Sequence, residues 1–195
     1  LYNVGMCHTE LGEPKKAIEL LNQSIQYNPQ FANGYVALGV AYSKINNLKY
    51  AKQYLLKSIS LSPDNSYALK NLGGVLAKEG DFLKALYYLE RSYEIDPHDP
   101  FTVYGLGLIY DKLNDLIQSE KYFKLFLHMN APENLKDEVK IYLTKIAEKE
   151  LKSKGPRLDA VFYMLNALRL FDNRPFQEIQ AISFEIALKG EKGLD

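Results

Sequence analysis

The sequence has 195 residues but one cysteine, no tryptophan and no net charge, because 24 basic residues balance 24 acidic ones. A single cysteine excludes a disulfide framework and any zinc site built from several cysteines. A neutral chain lacks the positive surplus with which proteins neutralise nucleic-acid phosphates. No apolar run approaches the roughly 20 residues of a membrane-spanning helix. We therefore expect neither nucleic acid nor a membrane among the partners.

Four series of residues recur at a common spacing of 34 residues. The first series is glycine, the second is glycine or asparagine, the third is a small residue and the fourth is proline. Independent series that share one phase predict a solenoid of helical repeats. The members are Gly5, Gly39, Gly73 and Gly107; Gly12, Asn46, Gly80 and Asn114; Ala17, Ala51, Ala85 and Ser119; and Pro29, Pro63 and Pro97.

Each series fits a position in a helix–turn–helix unit. Glycine in a helix interior costs about 1 kcal/mol relative to alanine, so the first series predicts a close approach by a second helix. Glycine and asparagine tolerate the left-handed backbone that ends a helix, and proline cannot continue a helix interior. The residues before the first series, and those four after the third, are expected in the core: Val4, Leu38, Leu72 and Leu106; Leu21, Leu55, Leu89 and Phe123.

This pattern resembles the tetratricopeptide repeat (TPR), a helix–turn–helix unit of the same length. The resemblance covers residues 1–131, although no tryptophan opens a helix and His8 and Phe126 depart from the usual residue types. It implies an all-α fold, a right-handed α-α superhelix of stacked antiparallel helix pairs. The third copy carries most of the pattern, and the second adds two aromatics: Leu69, Leu72, Gly73, Leu76, Ala85, Leu89, Ser92 and Pro97; Tyr35 and Tyr42.

The repeat divides residues 1–132 into four units, and the first unit is truncated at its start. After the fourth unit the phase is lost, and an apolar stripe predicts one long helix over residues 133–154. Within residues 133–195, the segment after this helix is expected either to continue the stack as degenerate repeat helices or to cap it. The four units are 1–29, 30–63, 64–97 and 98–132.

Cys7 and His8 are the first candidates for catalysis. Neighbouring side chains on a helix point about 100° apart, so this pair cannot act as a nucleophile and its base. The residues that correspond to Cys7 in the later repeats are apolar. We expect both Cys7 and His8 to be packed in the core.

A cluster of acidic residues and a histidine lies at the turn between the third and fourth units. A metal site needs ligands that converge, whereas prolines divide this cluster. Asp96 and Asp99 are better explained as residues that cap helices and begin turns. We therefore expect no enzyme activity, no metal and no cofactor. The cluster consists of Glu94, Asp96, His98 and Asp99.

The resemblance implies that the first helix of each unit lines a concave surface. The positions that would line it carry mostly apolar and aromatic residues, which typically mark a binding surface. They lack the lysine and arginine set with which some TPR proteins hold a carboxylate, so we predict no such clamp. The predicted groove residues are Tyr2, Met6, Asn33, Val36, Val40, Tyr67, Lys70, Phe101, Tyr104, Leu108 and Asp111.

The sequence favours a non-catalytic protein–protein interaction scaffold or adaptor that binds a peptide or helix of another protein in this groove. The alternative is a docking segment of a larger enzyme whose catalytic domain lies outside this chain. Self-association, or filling of the groove by a flanking segment of the same chain, stays open. An RNA-reading solenoid fits poorly, because it needs polar code residues and a basic lining. Neutral charge, one thiol and no signal pattern favour a cytoplasmic location.

Overall fold

The computed structural model describes residues 1–154, and its side chains are described as far as Lys149. The described chain is all-α: it contains nine helices and no strand. It divides into two compact units, Leu1–Tyr122 and a second that begins at Phe123. The helices are α1 (Tyr2–Glu10), α2 (Pro14–Tyr27), α3 (Ala32–Lys44), α4 (Leu48–Leu61), α5 (Ser66–Glu79), α6 (Phe82–Ile95), α7 (Pro100–Lys112), α8 (Leu116–Leu127) and α9 (Glu133–Lys154).

The first unit is built from helix pairs in a regular order. Each helix from α1 to α7 packs on the next one along the chain, and the odd-numbered helices also pack on one another, α1 on α3, α3 on α5 and α5 on α7. Among these seven helices, the even-numbered ones contact only their sequence neighbours. The first helices of the repeats therefore form a continuous layer, and the second helices cover one side of it. This confirms the predicted all-α helical-repeat fold.

The repeat glycines lie where the two helices of a pair come closest. A Cβ atom placed on them would fall inside the contact distance of a leucine on the partner helix, so only hydrogen fits without a shift of the neighbour. The predicted reason for the glycine series is thereby confirmed in the first three repeats. The distances from this Cβ to the leucine Cγ are 2.7 Å for Gly5 and Leu21, 2.5 Å for Gly39 and Leu55, and 2.7 Å for Gly73 and Leu89.

The turns inside the repeats have one shared geometry. The Gly or Asn residue of the second series adopts a positive φ in every repeat, from 59° at Asn46 to 84° at Gly80. The next residue closes the turn with a backbone hydrogen bond to the helix, as Asp81 N donates to Leu76 O at 3.0 Å. This six-to-one bond defines a Schellman cap and satisfies a carbonyl that would otherwise lack a partner. The predicted left-handed caps are confirmed.

The predicted burial of α1 is wrong at Val4 and Cys7 and only partly met at His8. Leu38, Leu72 and Leu106 are buried, but Val4 at the same repeat position is 51% exposed. Cys7 is likewise exposed, and His8 is only partly buried, with Nδ1 at 2.8 Å from Glu13 Oε2. The later odd helices bury these positions against the preceding even helix, as α3 does against α2. Within the described chain, no helix precedes α1 to cover them.

The second unit contains the predicted long helix with its predicted bounds, because α9 spans Glu133–Lys154. Its apolar stripe is buried at Val139, Leu143 and Ile146, and Phe123 stacks on Tyr142 with ring centroids 5.2 Å apart. The predictions for the remainder of the chain, residues 155–195, lie outside the described residues. None of the described helices is both long enough and apolar enough to cross a bilayer.

Candidate protein-interaction surface on the odd helices

The predicted groove residues all lie on the odd helices, and the structure separates them by exposure. Asn33, Tyr67 and Phe101 are exposed, the last two at 45% and 49%. Val36 is buried at 1%. The other predicted residues are partly buried: Tyr2, Met6, Val40, Lys70, Tyr104, Leu108 and Asp111.

The assignment of Val36 to the groove is wrong. Helix α3 packs on both α1 and α5, so this helix has neighbours on two sides within the odd layer. The corresponding positions carry longer side chains, Lys70 and Tyr104, which reach the surface of that layer. The short valine side chain ends below that surface and belongs to the core.

Lys70 joins two exposed aromatic rings into one cluster. Its ammonium nitrogen lies 4.7 Å from the centroid of Tyr67 and 5.4 Å from that of Phe101. It also pairs with Asp99 Oδ2 at 2.9 Å. A cation over a ring face contributes about 0.5–1 kcal/mol at exposed sites and orients the ring. These contacts hold Tyr67 of α5 and Phe101 of α7 in place while leaving about half of each ring open to solvent.

Asp99 anchors this cluster to the start of α7. Its carboxylate accepts hydrogen bonds from Thr102 N at 3.0 Å and Thr102 Oγ1 at 2.5 Å, which is the geometry of a helix N-cap. Burial alone would raise the pKa of the Asp99 carboxyl, but the hydrogen bonds from Thr102 and Lys70 and the charge of Lys70 lower that pKa overall. The predicted capping role of Asp99 is confirmed. Asp99 is therefore ionised and holds Lys70 at neutral pH.

A hydrogen bond of the buried Ser92 side chain joins two helices close to Thr102. Ser92 Oγ on α6 donates to Ser66 O at the start of α5 and lies 3.1 Å from Thr102 Oγ1 on α7. Buried polar groups with complete hydrogen bonding rigidify the elements that they join. The Ser92 bond therefore joins α6 to α5, while Thr102 donates its own hydroxyl proton to Asp99 and only contacts Ser92.

A second aromatic contact lies nearer the start of the chain. The rings of Tyr2 and Phe31 meet edge to face with centroids 4.9 Å apart. Burial, and to a lesser extent the nearby Tyr67 hydroxyl, raises the pKa of Tyr2. Asn33, at the start of α3, accepts a hydrogen bond from Asn65 Nδ2 at 3.0 Å.

Sequence reasoning did not find two members of this surface, Phe31 and Asp99. Phe31 precedes α3, and its position is not one of those that the TPR resemblance assigns to the groove. Asp99 was identified as a cap but not as the partner of Lys70. The available signal was that Lys70 and Asp99 lie 29 residues apart, close to one repeat length, so the solenoid brings them onto neighbouring turns.

The acidic residues between α6 and α7 have structural roles. Asp96 accepts a hydrogen bond from His98 N at 3.1 Å, and Asp99 is used by Thr102 and Lys70. Within the described residues, no group of three or more His, Cys, Asp or Glu side chains is arranged to hold a metal ion. The predicted turn and capping roles account for Asp96 and Asp99.

Stacked helix pairs with closely packed glycines and Schellman turns define a helical-repeat protein. Comparison with protein families gives the particular class: residues 7–46 match the TPR repeat, and residues 32–65 and 102–131 match the tetratricopeptide repeat. These stretches of the chain therefore carry tetratricopeptide repeats. Such repeats are scaffolds for protein–protein interaction, and this is the broad function that the family supports.

Solved structures agree on the fold. PilF of Pseudomonas aeruginosa is 18% identical and similar over 93% of this chain and 86% of its own, with a TM-score of 0.69. A MamA structure is 21% identical over 86% of this chain and 87% of its own, with a TM-score of 0.67. MamA from AMB-1 is 18% identical and covers 98% of both chains at a TM-score of 0.60. No curated protein matches the sequence.

Proposed function

We propose that the surface of the odd helices around Tyr67, Lys70 and Phe101, the odd-helix surface, binds a peptide or helix of another protein. We also propose that the chain performs no chemistry itself. The observation that carries this proposal is the exposure of Tyr67 and Phe101, at 45% and 49%, on adjacent odd helices. Aromatic side chains dominate binding energy at protein interfaces because they bury a large area with little loss of rotamer freedom. Here the rings are also oriented in advance by Lys70.

Pre-orientation favours binding in a specific way. A side chain that is already fixed loses less entropy when a partner arrives, so more of the contact energy appears as affinity. Lys70, which is held by Asp99, contacts both rings, and Tyr67 and Phe101 stay about half exposed. The surface therefore suits a partner with apolar side chains at intervals along a peptide or helix.

Two alternatives use the same surface. The chain could be the docking segment of a larger enzyme, in which case the complete reading frame would contain a catalytic domain. A flanking segment, or a second copy of the chain, could occupy the surface itself. These alternatives differ in what binds, and they share the requirement that Tyr67 and Phe101 make the contact.

The test is a comparison of two double variants with wild type. Tyr67→Ala with Phe101→Ala removes the rings, whereas Leu83→Ala with Tyr87→Ala removes apolar area from α6, where these residues are 71% and 55% exposed. After circular dichroism shows equal helix content, each protein is used to capture partners from native lysate for mass spectrometry. We expect a partner that wild type and the α6 variant retain and that the ring variant loses.

Two results would contradict the proposal. If the ring variant captures the same proteins in the same amounts as wild type, the odd-helix surface is not the binding site. If the α6 variant alone loses its partners, the even helices carry the interaction. A monomer–dimer difference between wild type and the ring variant in sedimentation would instead identify a second copy as the occupant.

A further inference from the structure

Two adjacent glycines in α5 have opposite surroundings. Gly73 packs against Leu89, whereas a Cβ atom placed on the neighbouring Gly74 would meet no atom within 4 Å. Gly74 is exposed and lies in the helix interior, where glycine costs about 1 kcal/mol relative to alanine. Its φ is not positive, so no turn requires it. Packing and backbone geometry therefore give no structural reason for glycine at this position.

The other repeats carry large apolar residues at the position of Gly74. These residues are Met6, Val40 and Leu108, and each is partly buried on its odd helix. Helix α5 packs between α3 and α7, so Gly74 interrupts the row between Val40 and Leu108. We call this interruption the Gly74 notch. Lys70 lies one helical turn before it and Lys78 one turn after it, on the same side of α5.

The last turns beside the notch carry a lysine on each of three helices, and that of α7 also carries a carboxylate, Asp111. Each of α3, α5 and α7 has a lysine in its last turn, namely Lys44, Lys78 and Lys112. Lys44 is compensated by Glu10 Oε1 at 3.1 Å, but the residue that corresponds to Glu10 beside Lys78 is Lys44 itself. Lys78 therefore donates to the neutral hydroxyl of Ser43 at 3.2 Å. Within residues 1–149, no carboxylate forms an ion pair with Lys78 or Lys112.

A helix C-terminus favours a nearby cation, and this effect explains one lysine per helix. It does not explain why Lys78 and Lys112 lack a carboxylate partner such as Lys44 has in Glu10. An apolar notch bordered by uncompensated lysines complements a segment with a bulky apolar side chain and carboxylates beside it, because a basic segment would be repelled.

We propose that the Gly74 notch receives a bulky apolar side chain from an acidic partner segment, whose carboxylates pair with Lys78 and Lys112. This inference rests on the proposed binding function of the odd-helix surface and names the chemical class of the partner. Gly74 is then a specificity-determining position: the absent side chain leaves room for the partner's anchor between Val40 and Leu108.

The probes are short fluorescein-labelled peptides of fixed backbone length, measured by fluorescence anisotropy. Their central residue is Phe, Leu or Ala, and the residues around it are Glu, Gln or Lys. For wild type we expect the tightest binding with Phe or Leu flanked by Glu, and a loss of about tenfold or more when the centre becomes Ala or the flanks become Lys. Added salt should weaken the preference for Glu over Gln.

Three variants locate the binding. Gly74→Leu fills the notch with the residue type found at position 108, and should abolish binding while melting no lower than wild type. Lys78→Gln with Lys112→Gln should remove the preference for Glu over Gln and keep the preference for Phe over Ala. Lys49→Gln with Lys57→Gln makes the same charge change on exposed positions of α4 and should bind like wild type.

The outcomes separate this inference from the proposed function. Peptides that depend on Tyr67 and Phe101 but bind Gly74→Leu as well as wild type would overturn the notch and leave the groove intact. Tighter binding of Lys-flanked peptides would overturn the acidic partner. If no peptide binds wild type better than it binds the Tyr67→Ala, Phe101→Ala variant, both proposals fail.

Discussion

Helices α1 and α5 carry the same repeat pattern but bury it differently. Leu72 of α5 is 1% exposed and Val75 is 2% exposed, whereas the corresponding Val4 is 51% exposed and Cys7 is exposed. Both helices have a partner on the following side, since α1 packs on α2 and α5 on α6. Among the described helices, α5 also packs on the even helix before it, α4, whereas α1 packs on no earlier one. A repeat pattern specifies which residues can be buried, and the neighbouring repeat determines whether they are.

The largest change in stability is expected at the repeat position that α5 buries and α1 exposes. Leu72→Ala should lower the free energy of unfolding by about 2–5 kcal/mol because it leaves a cavity between repeats. Val4→Ala removes a half-exposed side chain and should change the free energy of unfolding by less than about 0.5 kcal/mol. Urea titration followed by circular dichroism measures both. Equal losses for the two variants would mean that α1 is covered in solution.

Substitution of the repeat glycine should destabilise both helices alike, because the glycine of each helix packs on a leucine of its own repeat. Gly73→Leu and Gly5→Leu each force a side chain against a leucine of the partner helix and should each cost about 3 kcal/mol, at the upper end of the range for overpacking. Thermal melting of both variants checks this expectation. A wild-type melting curve for Gly73→Leu would contradict the packing role of the glycine series.

The Lys70–Asp99 pair gives α5 a polar contact whose contribution depends on pH. The pKa of Asp99 is lowered in the folded state from its ordinary value of 3.8, so its stabilising contribution is present above that value and is lost as pH falls through the folded pKa. Asp99→Asn should therefore cost about 1 kcal/mol at pH 7, since asparagine still caps a helix but cannot pair with Lys70.

The measurement for this prediction is the difference in unfolding free energy between wild type and Asp99→Asn from pH 7 down to pH 2. The difference should shrink below pH 3.8. Asp64→Asn, on an exposed turn residue, supplies the matched charge change. A difference that stays constant with pH would show that the lost contact is not ionic.

The smallest expected effect has the opposite sign. Gly74→Ala should stabilise the chain by about 0.5–1 kcal/mol, because alanine is the better helix former and its Cβ meets no atom. Gly73→Ala, at the neighbouring position, should destabilise the chain. A comparison of the melting temperatures of the two variants therefore distinguishes an outward glycine from a packed one. Destabilisation by Gly74→Ala would mean that its surroundings are more crowded than the structure shows.

Sequence reasoning succeeded where the cause is local or repeats within one unit. The positive φ of Gly80, the close contact of Gly73 and the helix over residues 133–154 all follow from residue type and spacing. It failed at Val4 and Cys7, because their exposure depends on whether another helix lies beside them. It failed at Val36 because the valine side chain is too short to reach the surface of the odd layer.

The geometry of the candidate site was accessible only in part. Repeat positions placed Tyr67 and Phe101 on the odd-helix surface, but the contacts that orient them depend on side-chain reach and ring angle. Neither side-chain reach nor ring angle can be predicted from the repeat spacing. The pairing of Lys70 with Asp99 joins residues at different repeat positions, so superposing one repeat on another does not reveal it.

The glycine–leucine contact within each repeat has a consequence for how such a chain can change over generations. The residues that hold a helix pair together, such as Gly73 and Leu89, are not the residues that face outward, such as Asn33, Tyr67 and Phe101. Mutations can therefore accumulate on the outward positions with little loss of stability. The same architecture can exchange one partner for another by a few substitutions, while selection for folding keeps the interior constant.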